Sequence, residues 1–86
     1  MQEGLIVYVV GGQEVPESLD LSRQCQELGL RPDLVALVAS NAGFFSVEEA
    51  WHHLITKGMG RVSLLVAQMD ANALHPIHPP VRLWGG

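Results

Sequence analysis

The chain has 86 residues, one cysteine and a formal charge of −4, from five Lys or Arg against nine Asp or Glu. One domain is expected at this length, without an intrachain disulfide or a four-ligand zinc site to support it. The basic residues are scattered, so nucleic acid and anionic membrane surfaces are not expected partners. In so small a domain apolar burial and chain entropy nearly balance, which favours self-association as a source of stability.

The first predicted element is a β-strand. The apolar run Leu5–Val10 stops at Gly11 and Gly12, and it is too short to cross a membrane. Glu3 stands where a signal peptide would carry positive charge, so a reducing, cytoplasmic location is expected. Two later runs have the same character, at residues 34–39 and 62–67. Apolar runs without polar alternation are typical of parallel strands that helices cover on both faces.

A helix is predicted between the first two strands. Asp20 or Ser18 would cap its first turn, and Leu21, Cys25 and Leu28 fall on one apolar stripe. A thiol late in a helix, on the apolar stripe, lacks the cationic surroundings that activate cysteine. Cys25 is therefore predicted to be a core residue.

A second helix is predicted between strands 2 and 3. Ser46 and Glu49 have the spacing of a capping box, and Gly58 is the expected stop. The apolar stripe comprises Val47, Ala50, Trp51, Leu54 and Ile55. Trp51 is accordingly predicted to be a core residue. His52 is expected beside this stripe and His53 towards solvent, and neighbours in a helix point apart, so they are poor candidates for a shared metal.

The sequence therefore predicts an α/β fold, a small βαβαβ domain over residues 1–70 with a three-stranded, mainly parallel sheet. Strand order 2-1-3, with the helices on opposite faces, is favoured over 3-2-1 because strand 1 is the bulkiest run. Residues 71–86 are predicted to be an extended, proline-rich tail packed on the domain or on a partner subunit, with 81–84 a candidate edge strand. Two helices cannot cover three strands completely, so the tail or another subunit must hide apolar sheet surface.

Ligands of open α/β sheets bind at the carboxyl ends of the strands. The candidate ligand-binding residues there and in the tail are Gly11, Gly12, Ser40, Asn41, Asp70, His75 and His78. The competing interpretation is that the Gly, Ser, Asn and Asp are turn residues, chosen for backbone geometry. No dinucleotide or phosphate-binding motif follows strand 1, so no cofactor is expected and no catalytic residue can be assigned. A metal site formed by His75, His78 and Asp70 is a weaker hypothesis.

The candidate interface residues are Phe44, Phe45, Arg82 and Trp84, because aromatic residues and Arg anchor interfaces. One of the two phenylalanines is expected to pack against Ala50 and the other to be exposed or to meet a partner. The favoured function is a small non-enzymatic module, expected as a homodimer or other homo-oligomer, that acts through protein–protein contact. The alternative is a small polar ligand-binding or enzymatic domain that uses the carboxyl-end loops and a tail histidine.

Overall fold

A computed structural model describes residues 2–85 of the chain. In chain order its elements are β1 (Glu3–Val9), α1 (Leu21–Glu27), β2 (Leu34–Val38), α2 (Val47–Thr56), β3 (Arg61–Asp70), β4 (Ala73–Pro76) and β5 (Val81–Trp84). The α/β class, with two helices and a strand for each of the three apolar runs, is confirmed.

The five strands form one mixed sheet. β2, β1 and β3 are parallel neighbours in that order, whereas β4 and β5 both run antiparallel along the outer edge of β3. The prediction of a three-stranded sheet was therefore too low, although the parallel strands have the favoured order 2-1-3 and the candidate edge strand at 81–84 is present as β5. The two extra strands are both contributed by the proline-rich segment after Asp70.

A two-residue turn sends the chain back along β3. Asp70 pairs with Ala73, and Ala71 between them has φ 56°, the one positive φ outside glycine among residues 2–85. Pairing with β3 then shifts between β4 and β5, across a segment that contains Pro79 and Pro80. Proline lacks the N–H that a strand ladder needs, so the edge strand is divided in two.

Both helices begin and end as their sequences predict. Asp20 accepts the N–H of Arg23 at 3.1 Å, and Ser46 accepts the N–H of Glu49 at 3.2 Å. After α2, Gly58 has φ 88° and the N–H of Met59 donates to the carbonyl of Leu54. This arrangement satisfies carbonyls that the helix end would otherwise leave unpaired.

The helices cover opposite faces of the sheet and build two separate cores. The α1-side core contains Leu5, Val7, Val9, Val15, Cys25, Leu65, Ala67, Met69 and Leu74. The α2-side core contains Ile6, Ala36, Val38, Ala50, Leu54, Met59 and Val62. Burial of Cys25 confirms the prediction for that residue, but Trp51, also predicted to be a core residue, is only half-buried.

Candidate functional site

The loops at the carboxyl ends of β1 and β2 are joined by polar side chains. The Ser40 hydroxyl lies 3.0 Å from the carbonyl of Gly12 and 3.1 Å from that of Gln13. Asn41 accepts the N–H of Val15 through Oδ1 and donates through Nδ2 to the Val15 carbonyl, both at 2.9 Å. Ser40 and Asn41, two predicted ligand-binding residues, therefore form hydrogen bonds to the backbone of the loop that follows β1.

Two glutamines that the sequence did not single out act in the same way. Gln13 accepts the N–H of Met69 at 2.8 Å and donates to its carbonyl at 3.1 Å. Gln24, on α1, accepts the N–H of Leu74 at 3.2 Å. We call Gln13, Gln24 and Asn41 the amide clamps. Each holds the backbone of an α1-side core residue, namely Met69, Leu74 or Val15.

The glycines of the first loop have the conformation of a turn. Gly11 and Gly12 have φ values of 73° and 65°, in the left-handed region that residues other than glycine rarely adopt. Both are exposed. The carboxyl-end loops are thus brought together as predicted, and the side chains of Gln13, Ser40 and Asn41 are hydrogen-bonded to backbone of another segment.

Of the acidic and histidine candidates, Asp70 and His75 lie together, whereas His78 lies in a separate groove. His75 pairs with Gln68 across the sheet, and its Nε2 lies 3.6 Å from the Asp70 carboxylate. His78 lines a groove of about 510 Å³ on the α1 side, together with Leu28, Leu30, Leu65, Pro76, Pro79 and Pro80. Within residues 2–85, no three His, Cys, Asp or Glu side chains are grouped as metal ligands, so His75, His78 and Asp70 do not form the metal site hypothesised from the sequence.

The candidate interface residues lie at opposite edges of the sheet. Phe44 bridges to Val38 on β2 and packs against the α2-side core, whereas Phe45 is 95% exposed. Arg82 and Trp84 belong to β5, on the far edge of the sheet. These four residues therefore do not form one continuous surface.

The two helix histidines exchange the roles expected of them. His53 is half-buried, and its ring centroid lies 4.9 Å from that of Phe44. His52 is exposed and lies 3.8 Å from the Glu48 carboxylate. The aromatic residue that precedes α2 covers one side of the helix and decides which histidine is shielded, so helical spacing alone gave the wrong assignment.

A row of half-exposed apolar side chains lies on the α2 side of the sheet, at the margin of the surface that α2 covers. In register, Tyr8 adjoins Val66, whose carbonyl accepts the N–H of Ile77. Further along β3, Leu64 pairs with Val81 and Val62 with Trp84. Paired residues of neighbouring strands project from the same face. We call the exposed members of this row, Tyr8, Ile77, Val81 and Trp84, the tail face.

The tail face is half-exposed throughout. Its four side chains are between 39% and 53% accessible, and Leu83, in the β-bulge of β5, is 41% accessible. Trp84 is flanked by α2, since its ring centroid lies 6.0 Å from that of Trp51. Helix α2 packs mainly on β2 and β1, which leaves this part of the sheet bare. The sequence did not predict this face because the pairing of the residues after Asp70 with β3 was not known.

Charge is distributed unevenly around this surface. All nine Asp and Glu lie between Glu3 and Asp70, and residues 71–86 contain none. The last segment contributes one basic residue, Arg82, which pairs with Ser63 and so projects from the α1 side. Three of the four tail-face residues therefore belong to a segment without acidic side chains.

The neighbouring strand edges offer few free donors. On β4, the N–H of Leu74 is taken by Gln24, and Pro76 has no N–H. At the opposite edge, the carbonyl of Leu37 on β2 accepts the N–H of Phe44. A substituent at Gly43, which has φ 78°, would overlap that same carbonyl, so this covering turn requires glycine.

Comparison with known proteins identified no relative: no protein-family model, curated protein or solved structure matches the chain. In the part of the chain that the structure describes, neither helix has the length and apolar character needed to cross a membrane.

Proposed function

We propose that this chain is a small interaction module that homo-oligomerises and acts through protein–protein contact at the tail face. The single observation that carries the proposal is the placement of four half-exposed apolar side chains on one face of the sheet, at the margin of the surface that α2 covers. From the usual sizes of these side chains, their exposed area amounts to roughly 400 Å². This is within the range of about 300–600 Å² found for the largest apolar patch of a monomer, which is often a functional surface.

Apolar burial is the driving force available for self-association at this surface, because covering the tail face removes apolar side chains from water. Association also costs translational and rotational freedom and the desolvation of polar groups, so buried area alone does not set the affinity. A reducing cytoplasm is the compartment that suits a module whose one cysteine is a buried free thiol.

The alternative, a ligand-binding or enzymatic domain at the carboxyl ends of the strands, has less support. Ser40 and Asn41 are engaged with the backbone of the neighbouring loop. His78 lines a groove on the α1 side, beside Leu65 near the middle of β3. The other residues that line this groove are Leu and Pro, so no side chain there can orient the His78 imidazole or polarise a bound substrate.

Sedimentation equilibrium over micromolar to submillimolar chain concentrations tests the proposal. We expect the wild-type chain to show a mass above that of the monomer, and Val81→Glu to return it to the monomer because a carboxylate would be buried in the contact. Phe45→Glu is the matched control, since Phe45 is more exposed but lies at the opposite edge. A wild-type monomer at every concentration, or equal effects of the two variants, would contradict the proposal.

A further inference from the structure

Charge is sparse in the segment that forms most of the tail face, so this face is where a second copy of this chain can bind with little repulsion. The chain has a formal charge of −4, so two copies repel each other over most of their surface. Residues 71–86 contain no carboxylate side chain, and they contribute three of the four tail-face residues. Contact through this segment therefore brings together no acidic side chains of the segment itself.

The strand edges argue for contact through side chains instead of extension of the sheet. At β4 one outward donor is held by Gln24 and the next position is Pro76. The end of β2 is covered by the backbone of Phe44. Edges protected in this way do not readily add a further strand. Addition of a strand at β4 or at the end of β2 is therefore disfavoured, and the apolar tail face offers the alternative contact.

Area points to the same arrangement. A standard interface buries about 800 Å² on each partner, of which the apolar tail face would supply roughly half. The rest would come from its rim, where Trp51, Ile55 and Leu83 are partly exposed. When both copies use the same patch, each patch is occupied by that of the other copy. No patch is then free for a third chain, so the assembly stops at two chains.

We propose that two copies pack tail face against tail face about a twofold axis near Val81, forming a closed dimer in which the two sheets face each other. This inference rests on the proposed self-association and adds its geometry. Val81 lies between Ile77 and Trp84 along the exposed row, so it is the central member of the face. A twofold axis at this position brings each Val81 opposite its counterpart.

Cross-linking with a short bismaleimide tests the geometry in the full chain. Cys25 is the single cysteine, it is buried, and burial raises the pKa of its thiol, so it should not react in the folded protein. We expect Val81→Cys to give a covalent dimer in high yield. Phe45→Cys, at the opposite edge, and the wild-type chain should give none. Leu83→Cys repeats the test from a neighbouring exposed position.

The outcomes separate this inference from the proposed function. If the wild-type chain self-associates and Val81→Glu abolishes this, but neither Val81→Cys nor Leu83→Cys cross-links, then the tail face is used in another geometry and the twofold dimer is wrong. A sedimenting mass that keeps growing beyond two chains also overturns the closed dimer. If the wild-type chain sediments as a monomer at every concentration, the proposed function itself is contradicted, whether or not the cysteine variants cross-link.

Discussion

The two faces of the sheet are covered in different ways, and the shorter helix belongs to the more completely covered face. Helix α1 has seven residues and α2 has ten. On the α1 side, however, side chains from the connecting loops complete the core, including Val15, Leu19 and Leu30. On the α2 side, the helix lies over β2 and β1, and the tail face stays half-exposed. Loop segments, more than helix length, decide how far a small sheet is closed.

The amide clamps explain how the α1 side is closed. Backbone that borders a core, in a loop or at a strand edge, needs partners for its N–H and carbonyl groups, because an unpaired buried polar group is costly. Gln13, Gln24 and Asn41 provide such partners for Met69, Leu74 and Val15. In the hydrogen bonds of the described residues, the α2 side has no comparable side-chain contact to a core backbone, and its coverage ends where the helix ends.

The largest expected effects come from truncating a fully buried leucine on each face. Leu65→Ala on the α1 side and Leu54→Ala on the α2 side should each lower the free energy of unfolding by about 3 kcal/mol, through lost burial and a residual cavity. Urea unfolding of both variants at one chain concentration measures this. A loss below about 1 kcal/mol for Leu54→Ala alone would show that the α2-side core is loosely packed, contrary to the burial of Leu54.

An intermediate effect is expected from removal of a clamp. Asn41→Ala leaves the N–H and carbonyl of Val15 without their partner, which should lower the free energy of unfolding by about 2 kcal/mol. Asn72→Ala, at the exposed turn after β3, is the matched control and should change stability by less than about 0.5 kcal/mol. Thermal or urea unfolding decides between them. Equal, small effects would mean that the clamps do not close the α1 side.

The smallest effect, and a gain, is expected at the turn that begins the tail hairpin. Ala71 has φ 56°, a conformation that costs free energy in any residue with a Cβ. Ala71→Gly should raise the free energy of unfolding by up to about 1 kcal/mol, with part of the released strain lost to the greater flexibility of glycine in the unfolded chain. Ala73→Gly, in β4, should instead be neutral or destabilising. A loss of stability in Ala71→Gly would contradict this account.

Much of the fold could be predicted because its signals are local. The three apolar runs match β1, β2 and β3, and the caps at Asp20 and Ser46 depend only on residues a few positions away. β4 was missed because its four residues, Ala73–Pro76, are stabilised mainly by pairing with β3. Short strands of this kind have little preference of their own, so tertiary pairing decides them.

The candidate site could be predicted only in part, for the same reason. The convergence of the Gly11, Ser40 and Asn41 loops follows from parallel strands, but the use of their polar groups depends on which backbone lies opposite. Gln13 and Gln24 give no local signal at all, since their partners are 56 and 50 residues away. The exposed row could have been anticipated from Val81 and Trp84 only if their pairing partners on β3 had been known.

By itself, the sequence determined the class of the fold, the three parallel strands, the positions of both helices and the burial of Cys25, because apolar runs, caps and stripes act over a few residues. Only the tertiary structure decided that the tail completes the sheet along β3, that amide side chains close the α1 side, and that Tyr8, Ile77, Val81 and Trp84 meet on one face. These outcomes depend on contacts between residues far apart in the chain, whose free energy exists only once the sheet has formed.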